Sequence, residues 1–302
     1  MKTLYLECNM GAAGDMLTAA LLELAGDRKA FTDRMNALGL PGVHVTAEEA
    51  VKCGITGTHM KVTVDGAEEE SLDAEEHHDH HHDHEHHGHH HHASVKDIEE
   101  VIDGLDVSER VKKDAKAVYA LIADAESRVH GRPVSEIHFH EVGTMDAVTD
   151  VVGVCLLMEM LSPDQVIASP VHTGSGQVRC AHGILPVPAP ATALILEGIP
   201  SYGGSVKGEL CTPTGAALLK HFVSRFGDRP VMAVEAVGYG MGKRDLSRRT
   251  AYGPSWERAR EAGKRSPGWS ATWTTSPARS SALLWNSCLP PARRTYTPSP
   301  SA

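Results

Sequence analysis

Over most of the chain, apolar residues recur either with the spacing of a helix or with the alternation of a strand. Helical spacing follows Asp15, Ser94, Ser108 and Thr144, and each of these side chains suits the start of a helix. The stretches that predict strands lie at 2–8, 43–47, 60–64, 137–139 and 166–169. This mixture predicts an α/β fold, a mixed sheet with helices. The helix after Thr144 is apolar on most sides and is therefore expected to be central.

A histidine run interrupts this pattern. From His77 to His92, 12 of 16 residues are histidine, and acids lie among them. A segment this polar cannot bury a core, so residues 68–92 are predicted to be a disordered insertion. Its internal position and its acids argue against an expression tag and favour metal storage or scavenging, without choosing between Ni, Zn, Cu and Co. The candidate ligands in the run are His80, His81, His82, His84, His86 and His87.

Charge is distributed unevenly along the chain. Residues 247–302 contain nine Lys or Arg and two acids, whereas residues 1–246 contain 20 basic and 37 acidic residues, a net charge of −17. An acidic body argues against a nucleic-acid-binding surface and favours the binding of cations.

Cysteine spacing and hydropathy indicate the compartment. The six cysteines include no CxxC pair, which favours reduced thiols. No apolar run reaches the roughly 18 residues of a membrane span, and the N-terminus turns polar too early for a signal peptide. A soluble, cytoplasmic protein without a membrane partner is expected.

Metal-ligating residue types concentrate in residues 137–150, IHFHEVGTMDAVTD. If this stretch begins as a strand, His138 and His140 point to the same face and can reach one metal ion. Two histidines and three carboxylates so close together suit a borderline divalent metal such as Ni or Zn. Spacing alone is equally consistent with two exposed histidines before a capped, charged helix. The first-choice ligands are His138, His140 and Glu141, and the second choices are Asp146, Asp150, His172 and His182.

Three loops could bind an anion such as a phosphate group. Residues 9–14, NMGAAG, join a predicted strand to a helix, an arrangement that often cradles anions. A P-loop is excluded because no Gly-Lys-Ser/Thr follows, and close helix–sheet packing explains the small residues equally well. Residues 211–215, CTPTG, begin another helix, and residues 238–245, GYGMGKRD, form a basic loop. The candidate nucleotide-binding residues are Asn9, Gly11, Gly14, Asp15, Thr212, Thr214 and Gly215.

Taken together, six sequence blocks resemble the LarC family of nickel insertion proteins. The blocks are GAAGDM, the histidine run, IHFHEVGTMDAVTD, SGQVRCAHGILPVPAPAT, ELCTPTGAALL and GYGMGKRD, in the family's order. The resemblance implies a nickel chelatase that inserts Ni(II) into pyridinium-3,5-bisthiocarboxylic acid mononucleotide, joining one carbon and two sulfurs to the metal. The product would be the nickel-pincer nucleotide cofactor, with a lactate racemase-type apoenzyme as recipient. In the family the reaction consumes CTP with a divalent metal, and the CTP site lies in the C-terminal domain.

The chain departs from the family pattern after Asp245. Residues 247–302 contain all four tryptophans, seven prolines and ten serines without helical or strand period, which predicts a disordered tail. We expect a shifted reading frame here, arising either from a programmed frameshift that normally joins the two parts or from an error in the sequence. Joining each codon's third base to the next two bases turns Trp273-Thr274 into an aspartate codon and Trp285-Asn286 into a glutamate codon. We therefore expect a nickel-insertion domain at 1–67 and 93–246, followed by an out-of-frame tail in place of the CTP-binding domain.

Two other functions are consistent with the same residues. A non-catalytic nickel storage protein or metallochaperone would bind several ions through the histidine run and need no nucleotide. A metal-dependent hydrolase would use His138-x-His140 with Asp146 or Asp150 to hold one metal and activate a water molecule. The sequence leaves open whether the chain forms a homo-oligomer.

Overall fold

The computed structural model describes residues 1–68, 93–139, 141–180 and 183–243, together with two strands at 254–260 and 267–273. For Glu141 and for those two strands only the backbone is described. Within these residues the chain forms α-helices and a mixed sheet, which confirms the predicted α/β class.

Three of the helices begin where the sequence analysis predicts capping side chains. Ser108 and Thr144 each accept a hydrogen bond from the backbone amide three residues further on, and Ser94 forms the predicted capping box with Asp97. The helices in the described residues are α1 Gly14–Ala25, α2 Arg28–Ala37, α3 Val95–Gly104, α4 Glu109–His130, α5 Met145–Leu161, α6 Pro190–Ile195 and α7 Pro213–Phe222. The three predicted helix starts at these caps are confirmed.

A central sheet carries the strands that lead into the candidate site. In spatial order its strands are β14 Arg225–Phe226, β7 Gln165–Ala168, β1 Thr3–Leu6, β16 Pro254–Arg260 and β15 Ala233–Val234, with β17 Pro267–Trp273 beside β16. β1, β7 and β14 run parallel, and β16 runs antiparallel to β1. The loops that follow β1 and β7 therefore leave the sheet at the same edge.

Shorter strands surround the central sheet. β2 Val43–Lys52, β3 Ile55–Val64 and β4 Ala67–Glu68 form an antiparallel sheet of their own. The paired short strands are β5 Ala93–Ser94 with β6 His138–Phe139, β8 Val171–His172 with β12 Ser201–Tyr202, β9 Gly174–Ser175 with β13 Gly208–Glu209, and β10 Gln177–Cys180 with β11 Gly183–Pro186. Glu68, which the sequence analysis placed in the insertion, belongs to β4 instead.

Two strands of the central sheet lie in the tail for which the sequence predicts disorder. β16 pairs with β1 through Thr3↔Ala259 and Leu4↔Arg258, and β17 pairs with β16 along its length. This pairing satisfies the hydrogen-bonding groups of the β1 backbone on the side that faces β16. Side-chain composition does not reveal such backbone hydrogen bonds. The remaining tail residues, and residues 69–92 of the insertion, lie outside the described residues.

α5 is the central helix of the fold, as its sequence predicts. Eleven of its 17 residues are buried, so it is packed on nearly every side, with α1 and α4 among its neighbours. A Cβ added at Gly153 would lie 3.3 Å from the Thr18 side chain, so the glycine lets α1 approach closely. This contact sets the N-terminal halves of α1 and α5 side by side.

Candidate metal and nucleotide site

The N-terminal halves of α1 and α5 bring three aspartates together. A Cβ added at Gly14 would lie 2.6 Å from the Asp150 Cβ, so this approach requires glycine. The Asp15 backbone amide donates a hydrogen bond to the Asp150 carboxyl group, and Thr18 Oγ1 donates to the Asp150 carbonyl oxygen at 3.4 Å. Asp146 lies one turn before Asp150 on the same helix. We call Asp15, Asp146 and Asp150 the acidic cluster.

Burial and mutual repulsion raise the pKa values of the acidic cluster. Desolvation is the largest cause for Asp150, and repulsion from Asp146 and Asp15 adds to it, so the pKa of Asp150 lies well above its ordinary value. The pKa values of Asp146 and Asp15 are also raised, chiefly by burial. Buried carboxyl groups of this kind are stabilised in their charged form by a nearby cation. A nearby positive charge would therefore favour the ionised form of the cluster.

Lys243 supplies part of the counter-charge for the acidic cluster. Its Nζ lies 3.5 Å from Asp146 Oδ2 and 3.8 Å from Glu68 Oε1. Burial lowers the pKa of Lys243, but the surrounding carboxylates, Asp146 first, outweigh this effect and raise it above the ordinary value. From the sequence alone, Glu68 has no predicted role and Lys243 is only part of a basic loop.

Hydrogen bonds and close packing hold residues 238–243 against the rest of the protein. They thereby fix the position of Lys243. Thr58 shares two backbone hydrogen bonds with this segment, one to the Tyr239 carbonyl oxygen at 2.9 Å and one from the Met241 amide at 2.7 Å. A Cβ added at Gly240 would lie 2.0 Å from a backbone carbonyl oxygen of α1. The spaced glycines of GYGMGK are the sequence signal for this close packing.

Replacing Asp150 with asparagine is expected to stabilise the protein at about pH 8 and to change its stability little at about pH 4. Because the folded-state pKa of Asp150 is raised, the wild-type protein loses stability as the pH rises from the unfolded-state pKa through the folded-state pKa. Asparagine carries no charge and removes this loss. Thermal melting at both pH values measures the effect, with the exposed Asp33→Asn variant as control. An equal gain at both pH values would contradict the explanation.

The strand β6 presents the first candidate ligand to solvent. His138 is exposed, whereas Ile137 and Phe139 are 3% and 1% exposed, which confirms the predicted alternation of faces. Next to His138 lies Asp97, whose pKa is lowered mainly by hydrogen bonds from Ser94 and further by His138. The candidate ligands His140, the Glu141 side chain and His182 lie outside the described residues.

The insertion that contains the histidine run is flanked on both sides by described residues that lie at the candidate site. At its end, Ala93 pairs with Phe139 and Ser94 pairs with His138 in the β5–β6 ladder. At its start, Glu68 lies within 3.8 Å of Lys243, which contacts Asp146 of the acidic cluster. The candidate ligands within the run, His80, His81, His82, His84, His86 and His87, lie outside the described residues.

Among the side chains that the structure describes, no group of three or more His, Cys, Asp or Glu residues is arranged to hold a metal ion. The first-choice ligand set includes His140 and the Glu141 side chain, so it stays a prediction. His138 and the acidic cluster are the described parts of the proposed site.

His172 has contacts that differ from the predicted metal ligation. Its Nδ1 lies 2.7 Å from the Asn9 carbonyl oxygen, and its Nε2 lies 3.0 Å from the Gly203 carbonyl oxygen. The ring also stacks on Tyr202 with a centroid distance of 4.6 Å. Because both ring nitrogens face backbone oxygens, His172 holds the loop after β1 in place instead of offering a lone pair to a metal.

The structure brings the two predicted nucleotide-binding stretches together. The Ala12 amide donates to the Leu210 carbonyl oxygen and the Thr212 amide donates to the Ala12 carbonyl oxygen, both at 3.0 Å. A Cβ added at Gly11 would lie 1.9 Å from the Leu210 carbonyl oxygen, and one at Gly215 would lie 2.0 Å from that of Ala12. Close backbone packing therefore accounts for these glycines, and Thr212 caps α7 beside the loop. Nucleotide binding by these stretches stays a prediction.

The sequence of the chain matches the nickel insertion protein family over residues 4–253. This range contains His138, the acidic cluster, Lys243 and the two predicted nucleotide-binding stretches at 9–14 and 211–215. The chain therefore belongs to the nickel insertion protein family.

Similar proteins are known from several bacteria. The chain is 42% identical over 247 residues to the pyridinium-3,5-bisthiocarboxylic acid mononucleotide nickel insertion protein of Clostridium kluyveri, and 43% over 249 residues to that of Lactiplantibacillus plantarum. It is 37% identical over 247 residues to a putative nickel insertion protein of Dictyoglomus thermophilum. These matches cover 81–82% of this chain and 58–59% of the relatives. The chain thus spans less than two thirds of their length.

No solved structure matches the chain. None of the helices in its described part is both long enough and apolar enough to cross a membrane.

Proposed function

We propose that the protein handles nickel for insertion into pyridinium-3,5-bisthiocarboxylic acid mononucleotide, as the N-terminal part of a CTP-dependent nickel chelatase of the lyase class. Family membership over residues 4–253 carries this proposal, because relatives that share up to 43% of the aligned residues are named for that insertion. The product would be the nickel-pincer nucleotide, delivered in the cytoplasm to a lactate racemase-type apoenzyme. Nickel is a substrate in this proposal.

The described donors suit a borderline metal such as Ni(II). His138 offers an exposed imidazole. The acidic cluster offers carboxylate oxygens near the starts of α1 and α5. Imidazole and carboxylate together are acceptable ligands for Ni(II). We propose His138, His140 and Glu141 as the first ligands, joined by Asp146 and His182.

The position of the histidine run supports a role in feeding this site. Of the residues that flank the insertion, Glu68 contacts Lys243 and Ala93 pairs with Phe139, so an ion held anywhere in the run stays tethered to the proposed site. Tethering raises the effective concentration of a ligand well above its bulk value. The run would therefore gather nickel and the fixed site would receive it.

Residues 9–14, which follow β1, and residues 211–215, which begin α7, are the proposed contact for the phosphate group of the precursor nucleotide. The N-terminus of α7 carries the hydroxyl groups of Thr212 and Thr214, which lie 2.9 Å apart, and it packs directly on the loop of Asn9 and Gly11. The positive end of the helix dipole favours anions at a helix N-terminus. Gly14, Asp15 and Gly215 complete this proposed surface. CTP with its divalent metal would bind in the C-terminal domain of the family.

Deleting residues 76–92 is expected to lower the number of bound Ni(II) ions and to leave one ion bound at the fixed site. The run is too polar to contribute to a core, whereas His138 lies on a strand whose neighbours are buried. Equilibrium dialysis gives the number of ions for the wild-type and deleted proteins.

A matched control replaces the same residues by a Gly-Ser sequence of equal length, which keeps the connection between Glu68 and Ala93. Both variants should retain one ion. Complete loss of nickel from both would mean that His138 and its neighbours form no site, and would favour a storage protein that binds nickel only through the run.

A further inference from the structure

Tyr119 of α4 lies behind the stretch that carries the proposed metal ligands. Its side chain is 1% exposed, and its hydroxyl group donates a hydrogen bond to the Val142 carbonyl oxygen at 3.1 Å. Its ring lies 5.9 Å from the ring of Phe139, tilted by 54°. A single buried side chain therefore contacts both β6 and the turn that follows it.

That turn connects the two described parts of the proposed site. It is a 3-10 turn at Glu141–Gly143, between β6 with His138 and α5 with Asp146. A Cβ added at Gly143 would lie 2.6 Å from the Phe139 Cβ, so the turn is pressed against the residue on which Tyr119 packs. The direction of the turn sets where His138 lies relative to Asp146.

The hydroxyl group of Tyr119 is the part that the packing does not require. A phenylalanine would fill the same space in the core, whereas a buried hydroxyl costs free energy unless it is hydrogen-bonded. Burial raises the pKa of Tyr119 well above its ordinary value, so the hydroxyl stays protonated and can donate to Val142. The retained polar group thus has a specific partner in the turn.

We propose that Tyr119 is a positioning residue, whose hydrogen bond to Val142 fixes the turn at Glu141–Gly143 and thereby holds His138 in register with Asp146 for Ni(II). This inference rests on the proposed function, because it concerns the same nickel site. Tyr119 acts through the backbone and does not contact the metal.

Tyr119→Phe in the full chain is expected to weaken nickel binding at the His138 site about tenfold, the lower end of the usual effect of residues that support metal ligands. The site is measured as the part of the Ni(II) binding isotherm and visible absorption spectrum that His138→Ala removes. Tyr5→Phe is the matched control. The Tyr5 hydroxyl donates a hydrogen bond of 3.3 Å to the Gly227 carbonyl oxygen, which is not part of the proposed nickel site. The control should leave the nickel isotherm unchanged.

Gly143→Ala tests the same turn by a different route, because its new Cβ must push the turn away from Phe139. It should also weaken the His138-dependent signal, and thermal melting shows that both variants are folded at the assay temperature. Unchanged nickel binding and spectrum in folded Tyr119→Phe would overturn the positioning role while leaving the proposed function standing. If His138→Ala itself removes no nickel signal, the proposed site and this inference both fail.

Discussion

Replacing His138 with alanine, in the protein whose reading frame is restored after Asp245, is expected to abolish nickel transfer and to leave the melting temperature nearly unchanged. The imidazole is exposed, so its loss removes a ligand without opening the core, and the strand keeps its buried neighbours Ile137 and Phe139. The same result is expected for His140→Ala on the basis of the sequence. Nickel transfer and thermal melting are measured on the same preparations.

Ile137→Ala is the matched control with the opposite expectation. Its side chain is 3% exposed, so truncation should cost about 2–5 kcal/mol of the free energy of unfolding. Nickel transfer should persist at temperatures where this variant is folded. If the two histidine variants instead melt far below the wild type, the histidines belong to the core and the metal assignment is wrong.

Restoring the reading frame after Asp245 is expected to confer CTP binding and nickel insertion together. The chain spans 58–59% of the length of its relatives, and its last 56 residues carry a composition unlike that of the body. The proposed function assigns the CTP site to the C-terminal domain of the family. Titration calorimetry with CTP compares the 302-residue chain, a truncation after Asp245 and the frame-restored protein.

The truncation requires its own folding control, because it removes β16, which pairs with β1. Neither the truncation nor the 302-residue chain should bind CTP detectably. Tight CTP binding by the 302-residue chain would place a nucleotide site within residues 1–245. The loop of Asn9 and Gly11 beside Thr212 would then be its most direct location, and the assignment of CTP to the C-terminal domain of the family would be wrong.

Local features of the fold could be predicted from the sequence because their causes are local. Ser94, Ser108 and Thr144 cap their helices through hydrogen bonds to amides three residues away. The alternation of Ile137, His138 and Phe139 follows from strand geometry alone. These effects act within one turn or one strand, so the sequence pattern carries them.

The contacts that build the site act over long distances and were not predicted. Lys243 meets Asp146 across 97 positions, and the approach of Gly14 to Asp150 depends on how α1 packs on α5. The backbone contacts of His172 depend on the placement of Asn9 and Gly203, so its sequence neighbours gave no sign of them. Packing between distant segments, which a single sequence does not encode in any local pattern, determines these contacts.

The most direct test of the account is the mass of the nucleotide formed from Ni(II), CTP and pyridinium-3,5-bisthiocarboxylic acid mononucleotide. We expect the frame-restored protein to yield a nickel-containing nucleotide only when CTP is present, and His138→Ala in that protein to yield none. The 302-residue chain should bind nickel and form no such product. A frame-restored protein that is folded and loaded with nickel and CTP, yet leaves the nucleotide without nickel, would contradict the proposed function.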